Sequence, residues 1–348
     1  MSECLIQTQD LPPIMESPVI RNIKCSITRI KEVVMAQKPE LGHDLRQWAA
    51  LSWYAIRPAA YAYSGGTSAQ PFFIVGSGRC GTTLLRRLLQ ASPDIHIPPE
   101  NWAYGKWMQT FRRYRAVLPW NDLVHLLLSK FMGSNQGWFD RYPEDLIYEL
   151  EKLTRPQRTL DRFIDTVYSY HGRSCGAVFT RWGDKTPLNI NSMENILRIF
   201  PKAKFIFLLR DPLDVSYSCS FLEQYQGDLI RPAQRWRQAF YKGRAFGAKH
   251  PSRLLEVRYE GLVQDPIQNM ELITRFLGVE YSSTLLGNDD YHEDMADVVS
   301  TPHLQNALRP VSITSIGKGR RELTDFQRRQ VASVIGDELV QAGYEPVA

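Results

Sequence analysis

Apolar residues in this 348-residue chain fall into unbroken runs that alternate with helix-spaced stripes. Phe72-Phe73-Ile74-Val75 is one run, Phe205-Ile206-Phe207-Leu208-Leu209 a second and Leu254-Leu255-Glu256-Val257 a third. Runs without polar alternation suit strands of a parallel sheet covered on both faces. Each leads into helical spacing. After the first, Leu84, Leu85, Leu88 and Leu89 make a core-facing stripe, ended by Ser92-Pro93. After the second, Arg210-Asp211-Pro212 opens a helix. After the third, Tyr259-Glu260 precedes a helix from about Pro266 to Leu277. Thr324 with Gln327 three residues on forms a capping box, which predicts a last helix ending near Gly343. The pattern predicts an α/β fold, a central parallel sheet flanked by helices.

Residues 101–183 carry the least regular strand signal and are expected to form a mainly helical insertion over the sheet. Near the N-terminus, Ile20, Ile23, Ile27, Ile30 and Val34 follow helical spacing, with Arg21, Lys24 and Lys31 elsewhere on the wheel. Such a helix either packs on the main domain or docks on a membrane surface as a peripheral contact. Tyr63 to Pro71, with Gly65-Gly66, reads as a linker. The division expected is therefore 1–70, a helical extension and linker, and 71–348, the main domain.

Composition narrows the class. Hydrophobic residues at 43% and charged ones at 23% are those of a soluble globular chain. The net charge of +5, with no dense run of Lys and Arg, suits an anionic ligand and not a nucleic-acid partner. Five cysteines, Cys4, Cys25, Cys80, Cys175 and Cys219, with no C-x-x-C, argue against a disulfide scaffold or zinc site. They point to a reducing, cytoplasmic setting. Trp48 to Tyr63 is broken by Arg57-Pro58 and too short to span a bilayer, so no transmembrane segment is expected.

The chemistry is concentrated after the first run. Gly76-Ser77-Gly78-Arg79-Cys80-Gly81-Thr82-Thr83 joins a strand to a helix. Glycines let backbone N–H groups approach an oxyanion, and the helix start adds donors from Thr82 and Thr83. Arg79 supplies a fork that suits phosphate. The spacing Gly76 to Gly81 matches G-x-x-x-x-G-K-[ST], but Thr82 occupies the lysine position. A sheet of the P-loop nucleotide-binding type follows, without the lysine that serves a triphosphate. That absence weighs against a nucleotide kinase or other P-loop phosphotransferase. The second turn carries Arg210 at the strand end and Ser218 about two helical turns on, where it could face the same anion. An Arg-Asp turn also serves as a structural ion pair, so this segment gains weight only beside the first.

Together these segments resemble the sulfotransferases that use 3′-phosphoadenosine 5′-phosphosulfate (PAPS). The glycine turn is similar to their 5′-phosphosulfate loop and Arg210 to Ser218 to their 3′-phosphate element. Val257 to Val263 and Gly317-Lys318-Gly319-Arg320 are supporting likenesses. The resemblance runs from about residue 71 to 343. It is strongest toward the tyrosylprotein sulfotransferase-like branch and its bacterial relatives, which carry a Glu about nineteen residues past the loop and a Lys in an Asn-Lys-Asp-Pro-like segment. Glu100 stands at that spacing, and Gly183-Asp184-Lys185-Thr186-Pro187 is similar to that segment. Pro99 replaces a second acidic residue there, which sets peptide tyrosine in question as the acceptor.

The resemblance implies Glu100 as the general base and Lys185 as the cation for charge developing on the leaving phosphate. It implies a donor site of Arg79, Cys80, Gly81, Thr82, Thr83, Arg210, Ser218, Tyr259, Lys318, Gly319 and Arg320, PAPS as the donor, and no metal. His96, four residues before Glu100, competes as the base, because His has that role in the cytosolic branch. Cys80 and Tyr259 also suit plain packing roles. The expected acceptor is a carbohydrate, lipid or other small molecule bearing a hydroxyl. Trp102, Tyr104, Trp107, Phe111, Tyr114 and Trp120, interleaved with Lys106, Arg112, Arg113 and Arg115, could stack on it or attract it, and equally suit a helical core with a solvated basic face. A non-catalytic nucleotide-binding scaffold is the remaining reading.

Overall fold

Strand β1, Phe72–Gly76, is buried at every residue and sits in the middle of the sheet. The computed structural model describes residues 61–134, 138–139, 143–282 and 295–347. The N-terminal helical stripe at 20–34 lies outside them. Five parallel strands run in the order β2-β3-β1-β4-β5. Around β1 stand β2 (Ile95–His96), β3 (Arg181–Asp184), β4 (Lys204–Leu209) and β5 (Leu254–Arg258). The three apolar runs are thus β1, β4 and β5. Strands β2 and β3 are additions to the expected sheet, and β3 overlaps the last three residues of the stretch expected to be helical.

Helix α1, Thr82–Gln90, follows β1 and is buried over its whole length. The connection from β2 to β3 is an unusually long crossover: α2 (Tyr104–Tyr114), α3 (Trp120–Met132), α4 (Glu144–Glu151) and α5 (Leu160–Ser174). Its core is aromatic. Trp107 stacks on Phe131 at 5.2 Å, and Tyr168 stacks on Trp182 at 4.0 Å. Residues 64–67, expected as a linker, are held down by Asp161, which accepts from Ser64 Oγ and the Gly65 and Thr67 amides.

After β3 come α6 (Met193–Ile199), β4, α7 (Pro212–Ser220) and α8 (Ile230–Lys249). Asp211 caps α7 by accepting from the Leu213 amide at 2.8 Å, with Pro212 in the first turn, where its missing N–H costs nothing. Beyond β5 lie α9 (Tyr259–Gln264), α10 (Pro266–Leu277), α11 (Ala296–Val299), α12 (Lys318–Glu322), α13 (Asp325–Ile335) and α14 (Glu338–Gln341). The Thr324–Gln327 capping box is present. The single last helix is not: Gly336, at φ +66°, breaks it into α13 and α14. Among the described residues no helix is long and apolar enough to cross a membrane.

Candidate active site

The carboxyl ends of β1, β4 and β5 open into a cleft of about 1230 Å³. Its floor is the glycine turn. Gly78, Arg79 and Gly81 all have positive φ, at +83°, +55° and +96°. Gly81 is the N-cap of α1 and offers no side-chain cap, so the first amides of that helix face the cleft. A Cβ on Gly81 would stand 2.4 Å from the Tyr259 ring, so the turn closes only because no side chain is there. Thr82 and Thr83 line the same floor. The Cys80 thiol points away, buried under Gly76, and burial raises its pKa.

Arg79 reaches across to α7 and donates from Nε to Ser218 Oγ at 3.1 Å. Burial, with repulsion from Arg210 added, lowers the Arg79 pKa. Arg210 donates to Arg79 O and Ser315 O, and its guanidinium lies 4.4 Å from the centre of the Tyr259 ring. Asp214, fully buried, stands 3.6 Å from Arg210 and accepts from the Gly317 and Gly319 amides. Thus Arg79, Arg210, Ser218 and Tyr259 gather at one end of the cleft, and Lys318 lines it too.

Gly319 and Arg320 have different roles from those expected. A Cβ on Gly319 would sit 2.2 Å from Leu213 O, so this glycine seats α12 against α7. Arg320 turns from the cleft to Asp211, at 2.8 Å, and to Glu345 O. It steadies the cap of α7 and lines no part of the cleft.

Glu100 and Lys185 meet at the other end. Lys185 follows β3 directly, and Glu100 lies four residues past β2. Lys185 Nζ donates to Glu100 Oε1 at 2.6 Å, with the lysine side chain fully buried and the glutamate 27% exposed. Behind them runs a buried network. Tyr168 OH donates to Asp184 Oδ2 at 2.6 Å, Asn189 Nδ2 donates to Asp184 Oδ1 at 2.8 Å, and Asn101 Nδ2 donates to Tyr168 OH at 2.9 Å. The Asn101 amide donates to Thr186 Oγ1 at 2.7 Å. Burial pushes the Asp184 carboxyl up to about 6 against these donors. The network joins the residue after Glu100 to the residues on either side of Lys185, which fixes the pair from behind.

Glu100 lines the large cleft and also a smaller recess of about 350 Å³, whose wall includes Lys185, Trp102, Ser134 and Leu304. His96 lines neither. It is buried against His171, with Nε2 2.9 Å from Nδ1, and burial lowers its pKa to about 4. Position removes it from the contest for general base. Of the aromatic-basic segment, Tyr104, Trp107, Phe111 and Trp120 are core, Lys106, Arg112 and Arg113 are solvated, and Trp102 borders both cavities.

Sequence reasoning missed Asn101, Tyr168 and Arg235. The first two act through side chains brought together by the crossover. Arg235 lines the cleft from α8. Among the described residues, Nε of Arg210 and Nε of Arg235 are enclosed without hydrogen-bond partners. Two such guanidinium N–H groups beside an uncapped helix start fit an anion. The described residues contain no group of three or more His, Cys, Asp or Glu side chains able to hold a metal ion.

Comparison with known proteins bears on the family and the fold. A model of the "Sulfotransferase family" matches residues 71–283. Protein-tyrosine sulfotransferase 1 of Danio rerio is 25% identical over 292 residues, covering 79% of this chain and 72% of the relative. Omega-hydroxy-beta-dihydromenaquinone-9 sulfotransferase Stf3 of Mycobacterium tuberculosis is 26% identical over 279 residues, 65% of this chain and 68% of that protein. The sulfotransferase domain from the Synechococcus PCC 7002 olefin synthase superposes with a TM-score of 0.54 at 22% identity, over 82% of this chain and 98% of that one. It supports the fold.

Proposed function

Because the chain belongs to the sulfotransferase family, we propose that it moves a sulfuryl group from PAPS to a hydroxyl of a carbohydrate, lipid or other small-molecule acceptor. The observation that carries this reading is the position of Glu100, on the shared wall of a cation-lined cleft and a smaller recess, in contact with Lys185. A nucleotide in the cleft and a hydroxyl in the recess would meet at that wall.

The chemistry follows. Glu100 accepts the proton of the acceptor hydroxyl as its oxygen bonds to sulfur. The bond from sulfur to the bridging phosphate oxygen breaks, and Lys185 stabilises the charge left there. The turn amides, Thr82, Thr83 and Arg79 hold the 5′ end. Arg210 and Ser218 hold the 3′-phosphate, so binding energy comes from a group that does not react. The recess argues for a small acceptor. Among the described lining residues the one cation is Lys185, which already faces Glu100, so it is not free to hold an acidic peptide. Trp102, 47% exposed at its rim, suits a sugar or apolar ring. A cytoplasmic location belongs to the same proposal.

Calorimetry tests the donor. Adenosine 3′,5′-bisphosphate should bind in the presence of EDTA, and transfer of label from PAPS to a hydroxylated acceptor should follow in a screen of cell extracts. Tight magnesium-dependent ATP binding with no bisphosphate binding would overturn the reading.

A further inference from the structure

Arg235 stands out among the cations of the cleft because nothing described answers its charge. It lines the cavity, is half-buried, and makes no ion pair or hydrogen bond among the described residues. Its nearest compensation is the face of Tyr225, 5.5 Å from the guanidinium carbon to the ring centre. Leaving an enclosed guanidinium N–H unsatisfied is costly unless a ligand supplies the acceptor.

Its position is fixed and specific. Arg235 Nη2 lies 2.5 Å from where a Cβ on Gly78 would stand, so the guanidinium rests against the glycine turn beside Arg79. Arg79 in turn touches Ser218. The neighbouring Cys219 thiol, pushed up to about 11 by burial, is opposed by the charges of Arg235, Arg79 and Arg210, with Arg235 the strongest. Arg235 and Arg210 therefore both bear on the Ser218–Cys219 end of α7, where Arg79, held in the glycine turn, also reaches Ser218. The next residue of α8, Trp236, donates from Nε1 to Arg210 O at 2.8 Å and stacks on Phe240. One helix thus aims Arg235 and clamps the strand end that aims Arg210. A phosphate monoester carries nearly two negative charges at neutral pH, which suits Arg210 and Arg235 together better than Arg210 alone.

We propose that Arg235 is a further ligand of the donor's 3′-phosphate and sets the preference of the cleft for a 3′-phosphorylated nucleotide. This rests on the donor reading above, and the test separates the two. Wild-type affinities for adenosine 3′,5′-bisphosphate and adenosine 5′-monophosphate are measured first by calorimetry. No preference for the bisphosphate ends the donor reading and this proposal with it. Given that preference, Arg235→Gln should weaken the bisphosphate about ten- to a hundredfold, the scale of a charged hydrogen bond. The monophosphate should change by no more than about twofold. Arg235→Lys, which keeps the charge and loses the fork, should fall between. An equal loss for both ligands would make the residue structural or move it to the 5′ end. An unchanged bisphosphate affinity would remove it from the site. Should Arg235→Gln fail to fold in a thermal melt, the Lys variant decides by the same ratio.

Discussion

At the glycine-turn end of the cleft, Arg79, Arg210 and Tyr259 leave the ends of β1, β4 and β5, strands of five, six and five residues. At the carboxylate end, Glu100 and Lys185 follow β2 and β3, strands of two and four. The first end is built mainly of backbone: positive-φ turns, helix amides and a sheet whose register holds them. The second is built of side chains pinned by other side chains, Asn101 to Tyr168 to Asp184 to Asn189. A phosphate cradle can use donors that every residue carries. A proton acceptor beside a buried ammonium needs particular atoms in particular places. The two ends should therefore fail separately, and differently, when altered.

The largest separation is expected at Glu100. Glu100→Ala should cut turnover by at least about a hundredfold, the scale of a lost acid–base group, with bisphosphate affinity within about twofold. It also strands the buried Lys185 ammonium, and breaking such a pair costs about 3–5 kcal/mol. Glu100→Gln keeps an oxygen for Lys185 while losing the base, so it should be equally inactive yet melt closer to wild type. Turnover retained in the Gln variant would make Glu100 a structural partner of Lys185, as in a non-catalytic scaffold.

Gly81→Ala is the counterpart at the other end. The substitution places a side chain at φ +96° and against Tyr259, costing about 1–3 kcal/mol in stability. Bisphosphate affinity should fall about tenfold, the effect of roughly 1.4 kcal/mol. The Glu100–Lys185 contact belongs to other strands and should survive. Unaltered affinity would show that the turn need not close on Tyr259.

The smallest contrast is in titration. Behind the carboxylate end lie Asp184, raised to about 6, and the His96–His171 pair, lowered by burial to about 4 and 3. The histidines take up protons on unfolding below their ordinary 6.5, so their contribution is lost as pH falls toward 4. Asp184 holds its proton in the folded chain between 3.8 and about 6 and works the other way. Within this cluster two histidines act against one carboxyl, so acidification destabilises it. The fall in urea midpoint between about pH 6.5 and 4.5 should be smaller in a His171→Gln variant than in wild type; an equal fall in both would contradict a contribution from the buried histidines.

Legibility in the sequence followed the same divide. Apolar runs announced β1, β4 and β5: β1 and β4 are covered on both faces with no polar residue interrupting their apolar runs, while β5, half-buried at the sheet edge, carries Glu256 within its run. Strands β2 and β3 were hidden. Ile95-His96 and Arg181-Trp182-Gly183-Asp184 are too short and too polar to show periodicity, and Gly183 is required only because Phe72 of β1 fills its side-chain space. Glu100 and Lys185 could be picked out by likeness to a family, but the network behind them could not. Its members lie up to 88 residues apart, from Asn101 to Asn189, and meet through tertiary packing. Arg320 misled for the opposite reason. It sits in a basic, glycine-rich segment that reads as ligand-binding, while its partner Asp211 is a helix cap distant in sequence. Arg235 carries no motif at all.

One turn of backbone has a consequence for how such a chain changes over generations. Arg79 occupies the left-handed region at φ +55°, where a non-glycine residue is strained. Replacing it with glycine would relax the main chain and discard the guanidinium that meets Ser218. Selection for heat tolerance alone would thus favour removing this arginine, and only selection for activity would keep it. The residue marks a point where durability and usefulness pull the same codon in opposite directions.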